Sequence, residues 1–146
     1  MVPQPDGTQP EEMMHISSFA LIRRGTRVLL ARRTKPERWA GKWTIPSAIL
    51  LFGEDPAAGV RRVVMEQLGS KTTVAELLDV QSYGDKHWDM CFVYDVQMPG
   101  PGKLGTDFDK AEYFDVTALP PEIRDDHREV IEMAKSRDVF ERKPAE

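Results

Sequence analysis

The chain has 146 residues, with 24 Asp and Glu against 20 Lys and Arg, so its formal net charge is −4 and its pI is near 5.5. This length favours one domain with one core, and the 40% hydrophobic and 30% charged residues are typical of a globular protein. The mild acidic excess provides no general attraction for a polyanionic backbone, which argues against a nucleic-acid partner.

Cys91 is the only cysteine in the sequence, so an internal disulfide and a CxxC metal site are both excluded. It lies in the apolar run Met90–Val93, where we expect a buried structural thiol. Residues 1–12 are polar and lack the apolar segment of a signal peptide, and no apolar run approaches the roughly 18 to 20 residues of a membrane span. We therefore expect a cytoplasmic protein without a membrane partner, with a single domain at 13–140 between flexible tails at 1–12 and 141–146.

The first half of the chain predicts an opening β-hairpin and a basic loop. The expected elements are a strand at 14–22, a turn at 23–26, a hairpin partner at 27–31, a basic loop at 32–42 and a strand-like segment at 44–51. Pro46 has no N–H to donate to a strand ladder, so we expect it at a sheet edge or a bulge.

A helix is clearly predicted after this segment. Asp55 is a favourable N-cap, Pro56 suits the first helical position, and Gly69 is a natural C-terminal stop. Apolar residues recur between them at helical spacing and predict a stripe that faces the core: Ala57, Val60, Val64 and Leu68.

The second half predicts three more strands and a final helix. The expected elements are strands at 74–83 and 90–98 around a turn at 84–87, a loop at 99–102, a strand at 111–116 and a helix that opens at Pro120-Pro121. One face of that helix carries Ile123, His127, Val130, Ile131 and Ala134. Strands followed by single amphipathic helices indicate a mixed α/β or α+β sandwich, but the pattern does not determine the strand order.

The segment from Ala48 to Ser70 resembles the Nudix box, whose pattern is G-x5-E-x7-R-E-U-x-E-E-x-G-U with U an aliphatic residue. Five of the nine defined positions match the pattern: Glu54, Arg62, Val64, Glu66 and Gly69. Four positions differ from it: Ala48, Val63, Gln67 and Ser70.

The surroundings of this motif also resemble the family over most of residues 14–135. A hairpin precedes it, and Lys42-Trp43-Thr44-Ile45-Pro46 stands where the family often has Trp-x-x-Pro-Gly-Gly. Ala111–Phe114 is similar to a late family strand, and Leu119-Pro120 with Asp126-His127 is similar to the start of the last family helix.

The resemblance implies a Nudix-type α/β/α sandwich around a mixed β-sheet and hydrolysis of a nucleoside diphosphate linked to another moiety. It also implies Mg²⁺ or Mn²⁺, which suit oxygen ligands and the activation of water, with a nucleotide-type small molecule as the ligand. Family members are often dimers, so a homodimer is compatible with the resemblance.

The departures from the motif fall on the residues that would hold metal. Positions i, i+3 and i+4 of a helix share one face, and the glutamates of the family occupy those positions. Here they are Val63, Glu66 and Gln67, so only Glu66 brings a charge and Gln67 offers a neutral oxygen. Ser47 and Ala48 also carry side chains where the family has paired glycines.

From this alignment we take Glu66, Glu54 and Arg62 as candidate catalytic residues, and Glu66 and Gln67 as candidate metal ligands. Glu54 and Arg62 are expected to connect the loop to the helix, although an ordinary surface contact is the alternative. The candidate substrate-binding residues are Arg33, Trp39, Ser47 and Ala48. Arg33 and Trp39 are included because basic and aromatic side chains hold phosphates and stack on rings. Ser47 and Ala48 are included because they stand where the resemblance implies that the backbone approaches the metal and phosphates.

Further carboxylates from Asp85–Asp89 or Asp107–Asp109, or the imidazole of His87, would be able to compensate for the missing glutamates. Local turn hydrogen bonds are the alternative role for these aspartates. His127 is expected to pack or cap, and His15 to lie in a strand. Two functional hypotheses remain: a hydrolase weakened by the missing glutamates, and a catalytically inactive nucleotide-binding or regulatory module of the same fold.

Overall fold

Eight strands and two helices form the part of the chain that the structure describes, a computed structural model of residues 14–84 and 88–141. In chain order they are β1 (Met14–Leu21), β2 (Arg23–Arg24), β3 (Arg27–Arg33), β4 (Trp43–Thr44), β5 (Ser47–Ile49), α1 (Pro56–Leu68), β6 (Val74–Gly84), β7 (Trp88–Gln97), β8 (Phe108–Asp115) and α2 (Asp125–Ser136). Short 3-10 turns occupy Glu37–Trp39 and Val139–Glu141.

The strands form two sheets of four strands each. The first has the order β5-β1-β7-β6, in which β1 and β7 run parallel and the other pairs are antiparallel. In the second sheet β3 is central, with β2 and β4 paired to it and β8 running antiparallel along nearly its whole length. The β1–β7 pair makes the first sheet mixed.

Alternation of side chains divides the core into two layers, one under each helix. Phe19 and Leu21 of β1 pack in the layer that contains Val130 and Ile131 of α2. Ala20 and Ile22, which point the other way, pack in the layer that contains Val60, Val64 and Leu68 of α1. The two helices therefore cover opposite faces, which confirms the predicted fold class.

The α1 helix begins and ends as predicted. The Asp55 carboxylate accepts hydrogen bonds from the N–H groups of Ala57 and Ala58, at 3.1 and 3.2 Å. Gly69 ends the helix in the left-handed conformation, with φ of 61°. Val60, Val64 and Leu68 are fully buried, and Val63 beside them is fully buried as well.

Three predicted elements differ from the observed ones. β1 does not pair with β3: it pairs with β5 and β7, and only the short β2 forms the hairpin with β3. The segment at 44–51 is divided into β4 and β5 around Pro46, which lacks a ladder donor. The last helix begins at Asp125 rather than at Pro120-Pro121, since Pro120 accepts a turn hydrogen bond from Ile123.

Cys91 is buried on β7, as expected for a structural thiol. Among the described helices, none is both long enough and apolar enough to cross a membrane. The predicted tail at 1–12, nearly all of the tail at 141–146, and the residues Asp85 and His87 lie outside the described residues.

Candidate functional site

Glu54, Arg62 and Glu66 form one chain of ion pairs along α1. The Arg62 guanidinium donates to both carboxylate oxygens of Glu54, at 2.8 and 3.0 Å, and its Nη1 reaches Glu66 at 3.2 Å. The N–H of Leu51 also donates to Glu54, at 3.0 Å. These donors hold the pKa of Glu54 below its ordinary value, with Arg62 the larger cause. The predicted connection between loop and helix is therefore present.

Gln67 and Val63 differ in what they offer to a ligand. Val63 is fully buried and has no oxygen in its side chain. The Gln67 amide donates from Nε2 to the backbone carbonyl of Ser47, at 2.9 Å, and joins α1 to β5. Its other amide atom, Oε1, is buried without a hydrogen-bond partner in the described structure. This oxygen is unpaired but fully buried, so an incoming group reaches it only if the Gln67 side chain moves.

The loop between β7 and β8 closes the end of α1. The N–H groups of Gly102 and Gly105 donate to the carbonyls of Leu68 and Gln67, at 2.8 and 3.0 Å. Such donors satisfy carbonyls that a helix end otherwise leaves unpaired. The loop then brings Asp107 to a polar cavity of about 150 Å³ lined by Arg33, Glu66, Gln67, Gly105, Thr106, Asp107 and Phe108.

A larger cavity of about 350 Å³ lies on the α2 side of the first sheet, and it brings together all four predicted substrate-binding residues: Arg33, Trp39, Ser47 and Ala48. Arg33 lines both cavities. Its guanidinium lies 4.7 Å from the centre of the Phe108 ring, and burial lowers its pKa from the ordinary value. Glu54 and Arg62 are not among the residues that line either cavity.

One face of the Trp39 indole is occupied by the protein itself. The guanidinium of Arg124 lies 4.0 Å from the ring centre, a cation–π contact. Arg124 is held in turn by Asp126, with 2.8 Å between Nε and Oδ1. A ligand ring would therefore have to contact the remaining surface of Trp39.

His127 lies on the first turn of α2 and lines the larger cavity. Its Nδ1 accepts a hydrogen bond from the N–H of Ile45 at 2.9 Å, and its ring meets the Phe19 ring edge-on with 5.1 Å between centres. Burial lowers the pKa of His127 to about 3. Of the two expected roles, packing or capping, the structure shows packing, and the ring is neutral at physiological pH.

The cavity residues that sequence reasoning left out of its candidates include Phe19, Arg38 and Arg124. Arg124 directly precedes the Asp125–Asp126 pair that begins α2, and this charged cluster was the available signal. Asp109 is paired with Arg32 at 2.8 Å, and Asp89 lies 3.6 Å from His15 at the far end of the larger cavity. Of the aspartates considered as substitutes, Asp107 is the one described residue that lines the cavity of Glu66.

The lowered pKa of His127 predicts that the stability of the protein depends on pH. Because the pKa of His127 is depressed in the folded state, its contribution is present above pH 6.5 and is lost as the pH falls from 6.5 toward 3. The titration of this residue should lower the free energy of unfolding by about 1.4 kcal/mol between pH 7.5 and 5.5. Urea unfolding at both pH values should show a smaller loss for His127→Asn, which keeps an acceptor for Ile45 but does not titrate. Equal losses in the two proteins would contradict the prediction.

The fold and the motif geometry agree with a comparison of the sequence with known families. Residues 13–134 match the family model described as the NUDIX domain, which is most of the chain. The chain belongs to the Nudix family.

Individual relatives support the same assignment. An ADP-ribose pyrophosphatase of Methanocaldococcus jannaschii is 30% identical over 116 residues, which are 76% of this chain and 67% of that protein. A Mycobacterium tuberculosis protein provisionally named 8-oxo-dGTP diphosphatase 2 is 38% identical over 64 residues, 44% of each chain. The crystal structure of a MutT NUDIX hydrolase from Burkholderia pseudomallei is 26% identical, with a TM-score of 0.70, over 83% of this chain and 98% of that one.

Two of the motif positions that would face a metal ion carry side-chain oxygens in this chain, Glu66 and Gln67. Among residues 14–84 and 88–141, no three His, Cys, Asp or Glu side chains gather where they could hold a metal. Glu66 and Gln67 both line the small cavity, where the Glu66 carboxylate is exposed and the Gln67 Oε1 is buried without a partner. Carboxylate and amide oxygens are the ligand type that Mg²⁺ and Mn²⁺ prefer.

Proposed function

We propose that this Nudix protein hydrolyses the pyrophosphate bond of a nucleoside diphosphate linked to another moiety, with Mg²⁺ or Mn²⁺. The observation that carries the proposal is the position of Arg33, which lines both the larger cavity and the small cavity of Glu66 and Gln67. A nucleotide in the larger cavity would place its phosphates at Arg33. The scissile bond would then lie beside the candidate metal ligands.

Some side chains in the two cavities would bind the substrate, and others would hold the binding groups in position. Arg33 binds phosphate oxygens as a charged donor, and its contact with Phe108 fixes the guanidinium. Arg62, held by Glu54, restrains the Glu66 carboxylate through its Nη1 contact. A divalent cation on Glu66 and Gln67 would neutralise phosphate charge and acidify a water molecule. Trp39, Ser47 and Ala48 line the part of the larger cavity that receives the rest of the substrate.

The relatives support this class of substrate without selecting a member of it. One is named for ADP-ribose and the other for 8-oxo-dGTP. Both compounds carry a nucleoside on phosphates that are joined to each other by a pyrophosphate bond. We therefore infer a nucleoside diphosphate or its derivative as the substrate class.

A second candidate is a nucleotide-binding module without hydrolysis. The side chains at two motif positions, Val63 and Gln67, favour it. Val63 supplies no ligand, and the Gln67 amide uses its donor end on the Ser47 carbonyl. In this alternative the larger cavity still binds a nucleotide, and Glu66 only extends the ion-pair chain on the surface of α1.

A phosphate-release screen over nucleoside diphosphate derivatives, with Mg²⁺ and with Mn²⁺, distinguishes the two. We expect turnover at ordinary enzyme rates, about 1 per second or more. Glu66→Ala should reduce that rate by about 100-fold or more because it removes the charged ligand.

The control variant is Glu132→Ala, which removes an exposed glutamate of α2 outside both cavities. Its rate should equal that of the wild type. Turnover that survives Glu66→Ala would contradict the assigned role of Glu66, and nucleotide binding without turnover on the whole panel would establish the second candidate.

A further inference from the structure

The fold determines which nitrogen of the His127 ring carries the proton. Because Nδ1 accepts the hydrogen bond from Ile45, the neutral ring must carry its proton on Nε2. Nε2 is therefore a donor whose proton does not depend on a ligand. The residue is only 4% exposed, so this donor is largely withdrawn from bulk water.

Within the described residues, the Nε2 donor has no protein partner. The recorded hydrogen bond of the ring is the one from Ile45 to Nδ1. Among the described residues, the fully buried side-chain atoms without a hydrogen-bond partner are Gln67 Oε1 and Thr72 Oγ1. His127 Nε2 is not one of them, so this unpaired atom keeps some accessible surface. Since His127 lines the cavity of about 350 Å³, its N–H is available to a molecule there. A ligand that supplies an acceptor to this N–H is therefore favoured over one that does not.

The surroundings of this donor select the kind of acceptor. Phe19 contacts the imidazole ring edge-on, and Ile49 and Cys91 line the same cavity. Anionic oxygens bind more strongly to guanidinium groups, and Arg33 and Arg124 supply these in the same cavity. The imidazole of His127 is neutral although Arg33, Arg124 and Asp126 line the same cavity. An uncharged N–H beside these charged groups suits a neutral acceptor on a planar ring. The volume lies within the range of small-molecule pockets.

We propose that His127 determines nucleobase specificity: its Nε2–H donates a hydrogen bond to a keto oxygen of the base and disfavours an amino group at the same ring position. This inference rests on the nucleotide substrate of the proposed function. An amino group would bring a second N–H against the donor, and neither group would have an acceptor.

Binding of inosine monophosphate and adenosine monophosphate to the full chain tests this, because the two purines differ in a keto or an amino group at one ring position. Isothermal titration should show that the wild type binds the inosine compound about tenfold more tightly, the ratio expected for one hydrogen bond.

Two variants separate recognition from structure. In His127→Asn the short side chain retains an acceptor for Ile45 but does not reach into the cavity, so the thermal midpoint should stay near that of the wild type while the tenfold preference disappears. In His127→Gln the amide reaches the position of Nε2, so the preference should persist while the thermal midpoint falls.

Equal affinities in the wild type, a preference that survives His127→Asn, or no binding of either nucleotide would overturn the proposal. Because these are binding measurements, they are independent of hydrolysis. A keto preference without turnover would leave the role of His127 standing and reject the hydrolase, whereas turnover without a base preference would do the reverse.

Discussion

Gln67→Glu is expected to make the stability of the protein depend on a divalent cation. The change removes the 2.9 Å hydrogen bond from the amide to the Ser47 carbonyl and places a carboxylate against that oxygen. In EDTA the free energy of unfolding should fall by about 1–3 kcal/mol, the cost of an unmade buried hydrogen bond. Mg²⁺ or Mn²⁺ should restore it, because a cation bridges two oxygens that otherwise repel. Urea unfolding with EDTA and with excess metal measures both effects.

Met65→Glu is the matched control, because it adds the same charge to α1 at a residue that is 52% exposed and lies outside both cavities. Its stability should respond to cations no more than that of the wild type. If Gln67→Glu were equally stable with EDTA and with metal, the assignment of Gln67 to a motif ligand position would be wrong. Combining Gln67→Glu with Val63→Glu adds a buried charge, so the single variant is the cleaner measurement.

Gly69→Ala is expected to destabilise the protein by about 3 kcal/mol or more. Gly69 ends α1 with φ of 61°, and a Cβ there would meet the backbone oxygen of Lys103 at 2.1 Å. That backbone belongs to the loop that leads to Asp107, so relief of the overlap requires the loop to leave the helix end. Chemical denaturation gives the loss of stability, and faster amide hydrogen exchange at Gly102 and Gly105 would report the displaced loop.

Gly25→Ala provides the comparison, since Gly25 has a φ of 59° and nothing within 4 Å of its Cβ position. It should cost only the left-handed conformational penalty, about 1–2 kcal/mol. The difference between the two variants isolates the close approach of the loop. Equal losses would show that backbone conformation alone, and not the packing of the loop, explains Gly69.

Local signals in the sequence were sufficient for the helix that carries the Nudix motif. Asp55, Pro56 and Gly69 act through contacts within a few residues, so the cap, the first position and the terminus of α1 all appear as predicted. The ion pair of Glu54 and Arg62 was expected because both residues match positions of the Nudix motif, and the structure contains it. The start of α2 was misplaced because a proline pair suits a turn as well as a helix start.

The pairing of β1 was not predictable in the same way. A strand followed by a turn and another strand favours a hairpin, yet β1 lies between β5 and β7, far from the predicted partner. Long-range burial decided this arrangement, since the C-terminal end of β1 contributes apolar side chains to both core layers and has a helix over each face. The cavity depends on it, because Ser17, Phe19 and Ser47 line the cavity only when β1 lies beside β5.

By itself, the sequence determined the fold class, the family, the helix of the motif, and the identity of the residues at the positions where Nudix glutamates would stand. Only the tertiary structure decided what those residues do. It pairs Gln67 with the Ser47 carbonyl, buries Val63, joins two cavities at Arg33, and fixes the proton of His127 through Ile45. The sequence gives the type of each residue directly. The protonation state of a side chain and its unpaired donors and acceptors depend instead on partners that are distant in sequence and close in space.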